Sequence, residues 1–161
     1  MAVSQEILEA LTTGIQSEVA AYVFYLEAIK KLADDNLKPT FEILAGEEKK
    51  HFQILEGQYD SLVRSEKWIS TADVLKQDGL PEIDEDMAEK HKDLIANIRK
   101  LETKREVLNM ALKLEEEAKA LFVRLGNEAK SDEARKTFEH LAGFEEGHVK
   151  LVKNMLVNLV E

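Results

Sequence analysis

Apolar positions recur along this chain at helical spacing, in long stretches separated by short polar breaks. Leu8, Leu11, Ile15, Tyr22, Tyr25 and Ile29 lie on an alternating three–four seam, which predicts a first helix over about 4–33. Asp34-Asp35-Asn36 then breaks the pattern with side chains suited to a helix start. A second helix follows to about Arg64, with Phe41, Leu44, Leu55 and Leu62 as its seam. Thr103 and Glu106 have the spacing of a capping box and open a third helix, predicted to stop at Gly126-Asn127. Ser131-Asp132 caps a fourth helix, whose seam is Phe138, Leu141, Val152, Met155 and Leu159.

The intervening segment has a different pattern. Gly79-Leu80-Pro81 is a break, and Asp84-Glu85-Asp86 suits the first turn of a further helix. The segment is long enough to join two parallel helices across a bundle. The expected fold is therefore an all-α four-helix bundle in one domain over 1–161. A helix pair at 4–64 leads into a crossover at 65–102 and a second helix pair at 103–160, with Trp68 pinning the crossover to the bundle.

A repeat sharpens this picture. A shift of 97 residues lays Thr40–His51 (TFEILAGEEKKH) on Thr137–His148 (TFEHLAGFEEGH) without a gap. The same shift places Glu18 on Glu115 and Tyr25 on Phe122. The pairs Glu48/His51 and Glu145/His148 are three residues apart, so each pair shares one helix face. All six polar residues interrupt apolar seams: Glu18 in the first helix, Glu48 and His51 in the second, Glu115 in the third, Glu145 and His148 in the fourth. Four ionised carboxylates in an apolar interior are prohibitive unless they are protonated or neutralised by cations. Two divalent ions balance the four glutamates with both histidines neutral. Carboxylate and imidazole donors suit iron(II), manganese(II) and zinc. The predicted metal ligands are thus Glu18, Glu48, His51, Glu115, Glu145 and His148.

Neighbouring residues read differently. Glu47, Glu116, Glu117 and Glu146 lie off the seam and are expected in solvent, while Glu42 and Glu139 suit salt-bridge or capping roles. His91 and His140 read as surface or boundary residues. Tyr22 and Tyr25 follow Glu18 by one and two turns; each either packs in the core or hydrogen-bonds a ligating carboxylate. No catalytic group beyond the metal ligands is predicted.

Composition narrows the function classes. The chain has no cysteine, which excludes disulfides, thiolate metal sites and iron–sulfur centres within it. A net charge of −10 disfavours nucleic acid and anionic membrane as partners. No apolar run approaches the ~20 residues that span a bilayer, and Met1–Glu9 lacks the progression of a secretory signal. A cytoplasmic location is the expectation.

One Glu from each of two helices, with Glu-x-x-His from each of the other two, is the ligand set of di-iron and di-manganese carboxylate bundles. Glu18 with Tyr25, Glu48-Lys-Lys-His51, Glu115 with Phe122, and Glu145-Glu-Gly-His148 resemble the ferritin-like superfamily and its rubrerythrin-like branch. The likeness covers about 5–62 and 103–160. It implies a ferritin-like bundle with a non-haem di-iron site, acting as an oxidoreductase on peroxide or oxygen. Rubrerythrins carry a rubredoxin domain rich in Cys-x-x-Cys; without one, electrons must come from a separate donor protein. Rubrerythrins also place an extra ligating Glu one turn beyond the third-helix Glu, where this chain has Ala118, so the iron movement associated with that ligand is not carried over. Alternative readings are a ferroxidase or iron-handling protein, and a bundle with a structural metal site. A homodimer is expected, because related bundles often pair.

Overall fold

A computed structural model describes residues 4–32 and 36–159. Its helices are α1 (Gln5–Lys31), α2 (Lys38–Ser65), α3 (Thr71–Leu75), α4 (Glu85–Glu89), α5 (Lys92–Arg99), α6 (Lys104–Glu128) and α7 (Asp132–Val157), with no strand among the described residues. The four long helices are those expected of an all-α ferritin-like bundle, and α3 to α5 make up most of the ordered structure in the crossover. The residue pattern predicts only one helix there. The helices α3 and α5, of 5 and 8 residues, are too short for the pattern to single out; Ser70 caps α3, and Val74 and Ile98 bury them against the bundle.

Local chemistry starts most of these helices. The hydroxyls of Ser4, Thr103 and Ser131 accept from the backbone N–H of Ile7, Glu106 and Ala134 at 3.3, 3.1 and 3.1 Å. The Asp84 carboxylate does the same for α4, accepting from Met87 N–H at 2.9 Å. Helix α2 starts differently, with Leu37 at its N-cap, no side-chain cap and a proline in the first turn. Asp34 and Asp35, expected at that start, lie outside the described residues. The predicted stop at Gly126-Asn127 is corrected: α6 continues to Glu128. Gly126 is instead a helix–helix contact, where an added Cβ would lie 3.7 Å from Phe138 Cβ.

Two apolar clusters fill the bundle. One gathers Phe24, Phe41, Leu44, Ile98, Leu108 and Val152. The other gathers Leu11, Leu55, Phe122, Phe138 and Leu141. Every long helix passes from one cluster to the other, and each carries its predicted ligands between the two. Helices α2 and α6 enter from the first cluster and leave through the second, whereas α1 and α7 run the opposite way. The helices α2 and α6 are therefore parallel, as a long crossover requires.

The crossover is fastened by specific contacts. Helix α3 packs on α2, where Gly57 makes room for Val74; a Cβ at position 57 would overlap Val74 Cγ1. The Gln58 side chain accepts from Ile69 N–H at 3.1 Å and donates to the Ile69 carbonyl. The Trp68 indole N–H donates to Thr137 Oγ1 at 3.1 Å, and its ring meets Phe138 edge-on. Trp68 thus ties the crossover to α7. Helices α4 and α5 lie on α1, where Met87 and Ile95 cover Val19 and Val23 together with Phe52 of α2.

Candidate metal centre

Helical spacing does most of the work of assembling the site. Glu18 lies between Leu11 and Phe24 on α1, and Glu115 between Leu108 and Phe122 on α6. The i,i+3 pairs Glu48/His51 and Glu145/His148 project from one face of α2 and of α7. The structure brings all six together between the apolar clusters, and none is more than 4% exposed.

Their donor atoms form two overlapping groups. Glu18, Glu48, His51 and Glu145 make one; Glu48, Glu115, Glu145 and His148 make the other, with the atoms of each group within 4.8 Å of one another. His51 Nδ1 stands 3.4 Å from Glu145 Oε1, 3.6 Å from Glu18 Oε2 and 3.8 Å from Glu48 Oε2. His148 Nδ1 stands 3.0 Å from Glu48 Oε1, 3.3 Å from Glu115 Oε2 and 3.4 Å from Glu145 Oε2. Glu48 and Glu145 belong to both groups and use different oxygens in each. Glu48 and Glu145 would thus contribute donors to both groups were two ions held there, and Glu18 and Glu115 to one group each.

The unpaired atoms fit a cation. Both Glu18 oxygens, both Glu145 oxygens, Glu48 Oε2 and His51 Nδ1 are buried without a hydrogen-bond partner. Buried polar atoms are ordinarily satisfied, and leaving so many unsatisfied at one place is costly. A cation between them would satisfy these acceptors and also balance their charge.

Protons carry part of that role without a cation. Burial, with the Glu48 and Glu145 carboxylates nearby, holds the Glu18 carboxyl well above its usual range. Burial likewise pushes Glu115 up to about 7. Burial opposes the charged form of His51, but the nearby Glu145 and Glu48 carboxylates outweigh that cost and raise His51 to about 9. His148 is raised in the same way against the cost of burial, chiefly by Glu115, Glu145 and Glu48. Burial also raises Glu48 and Glu145, but the close approach of Glu18 and the imidazoles to Glu48, and of Glu115 and the imidazoles to Glu145, leaves both lowered. The directions divide the cluster: Glu48 and Glu145 are shifted toward the ionised form, and Glu18, Glu115 and the two imidazoles toward the protonated one.

The surrounding residues resolve the remaining expectations. Tyr25 is buried and its hydroxyl donates to Glu115 Oε1 at 2.5 Å, so it is both a core residue and a partner of the cluster. Burial and the Glu115 carboxylate keep that phenol protonated. Tyr22 is half-buried, with no hydrogen bond to a cluster carboxylate among the described residues. Glu42 and Glu139 reach Lys38 and Arg135 at 4.0 and 3.9 Å. Glu116 and Glu117 are exposed, and Glu146 pairs with Lys119 and Lys150. His140 is exposed, and His91 is half-buried beside Met87 and Lys90 in a surface pocket.

Glu47 is a correction. Expected in solvent, its side chain is 38% exposed and its Oε2 lies 2.5 Å from His148 Nε2. Its place beside Glu48 puts it on the flank of α2 that faces α7, a contact that spacing along one helix does not report.

A long-crossover bundle with four carboxylates and two imidazoles between its apolar ends defines the class as a ferritin-like carboxylate–histidine bundle. The family model Rubrerythrin matches residues 9–156, and the chain belongs to that family. Neither the curated proteins nor the solved structures yielded a match. Among the described residues, no helix is long and apolar enough to cross a membrane.

Proposed function

We propose that this chain is a non-haem di-iron oxidoreductase that reduces peroxide or oxygen with electrons from a separate donor protein. The observation that carries this reading is the pair of donor groups sharing Glu48 and Glu145. Each group offers three carboxylates and one imidazole, a hard and borderline donor set suited to iron(II), and also to manganese(II) or zinc. Two bound iron ions would supply one electron each to a small oxidant.

The chain's own residues give that chemistry its setting. Glu48 and Glu145 would help to hold both ions, and Glu18 and Glu115 would each complete one side. His51 and His148 would present Nδ1 from opposite helices. Tyr25 keeps its proton and holds Glu115 Oε1, leaving Oε2 directed at the cluster. Phe24, Phe41, Phe122 and Phe138 lie in the apolar clusters on the two sides and limit entry of water. The 161 residues contain no cysteine, so an iron–thiolate relay must reside elsewhere. A homodimer in the cytoplasm belongs to the same proposal.

The test is rapid mixing of the iron(II)-loaded protein, anaerobically prepared, with peroxide and separately with oxygen. Oxidation faster than that of free iron(II) is expected. Oxidation no faster than free iron, or native protein holding only zinc, would refute the redox assignment.

A further inference from the structure

The two halves of the repeat differ at two pairs of positions where one half places a polar group on the cluster and the other a phenyl ring, and both polar groups fall on the same side. The 97-residue shift pairs Tyr25 with Phe122 and Glu47 with Phe144. On the Glu115–His148 side, Tyr25 donates to Glu115 and Glu47 meets His148 Nε2. On the Glu18–His51 side, both counterparts are phenyl rings. Phe144 stands edge-on to His51, with ring centroids 5.0 Å apart. Phe122 lies against Gly14, one turn before Glu18, where it would be 3.1 Å from an added Cβ. Neither Glu18 oxygen has a hydrogen-bond partner, whereas Glu115 Oε1 has Tyr25.

A carboxylate on the remote nitrogen of a ligating imidazole has a defined effect. It accepts a hydrogen bond from Nε2–H, leaves the Nδ1 lone pair free for a metal, fixes the ring's rotation and makes the imidazole a stronger donor. A phenyl edge supplies none of these. We propose that the two metal positions are inequivalent, with the Glu115–His148 position filling first, and that Glu47 is the positioning residue responsible. This rests on the reading of the cluster as a two-metal site, but it extends that reading. The duplication supplies two similar positions, and Glu47 distinguishes them from outside the ligand set.

Cobalt(II) titration of the metal-free protein tests this, followed by calorimetry and by the visible absorption of bound cobalt. The wild-type protein should take up two ions in resolved steps. Glu47→Leu should weaken the tighter step by about 10–100-fold, the usual cost of removing such a partner, and leave the weaker step nearly unchanged. Glu47→Gln, which keeps an acceptor without its charge, should fall between. Phe144→Glu should strengthen the weaker step. A general loss of negative charge would weaken both steps alike, so Glu116→Gln, on the exposed face of α6, is the control. Thermal midpoints of the metal-free variants report whether each remains folded. Two wild-type steps of equal affinity, or an unchanged tighter step in Glu47→Leu, would overturn the inequivalence and leave the two-metal reading standing. A wild-type protein that binds no cobalt would overturn that reading, and the inequivalence with it.

Discussion

The apolar ends of the bundle and its charged middle are equally buried, yet they are held together for opposite reasons. At the ends, Phe24, Phe41, Phe122 and Phe138 are no more than 1% exposed, and each removes a large apolar surface from water. In the middle, Glu18, Glu48 and Glu145 are just as inaccessible, but their burial costs free energy, and six of the cluster's side-chain atoms lack a hydrogen-bond partner. The ends therefore stabilise the fold in any state. The middle is tolerable only when its charge is balanced, which ties its stability to bound cations and protons. The difference also separates residues that hold the bundle from residues that work in it.

The strongest test of this contrast is to empty part of an end. Phe138→Ala is expected to cost about 3–5 kcal/mol, equally with and without metal, as read by urea denaturation of both forms. Removing a buried carboxyl group from the middle should do the reverse. Glu18→Leu removes two buried oxygens without hydrogen-bond partners and is expected to stabilise the metal-free protein by about 1–3 kcal/mol while abolishing uptake of the ion on the Glu18–His51 side. Loss of stability in that variant would mean that the carboxylate supports the fold in its own right.

Acidity provides a subtler probe. Glu115 is raised from 4.5 to about 7 and His51 from 6.5 to about 9, so the folded metal-free protein binds more protons than the unfolded chain across that window. Its stability must then fall as pH rises from about 5 to about 9. Glu48 and Glu145 are lowered, and their contribution is lost only as pH falls below the ordinary carboxylate range. Thermal midpoints of the metal-free protein should decline over the window, and those of the metal-loaded protein should stay nearly level. A parallel decline in both forms would detach the effect from the cluster. The smallest expected change is Tyr25→Phe, which keeps the ring in its end cluster and deletes only the hydroxyl donated to Glu115. It should cost about 1 kcal/mol and shift the absorption of cobalt bound beside Glu115, leaving the fold intact by circular dichroism.

Much of the middle is legible in residue spacing alone. Glu48 and His51 break a seam bounded by Leu44 and Leu55, and Glu145 and His148 do so between Leu141 and Val152. Since helix geometry is nearly constant, an acid in line with buried leucines is itself buried, and the repeat supplies its partner. The flanks are less legible. Glu47 and Glu146 precede and follow seam glutamates; one reaches an imidazole of another helix, the other pairs with lysines. Periodicity gives each an angle around its own helix but does not say what stands opposite.

The amino-acid order alone was enough for the four long helices, the duplication and the six inward-facing polar residues, because each follows from three- and four-residue spacing within a single helix. The packing of those helices settled the rest: the contact of Glu47 with His148, the seat of Trp68 on Thr137, and the three short crossover helices. These depend on residues from distant parts of the chain meeting across a gap of a few ångströms. Small differences between duplicated halves, such as glutamate against phenylalanine, acquire chemical meaning only once such neighbours are in place.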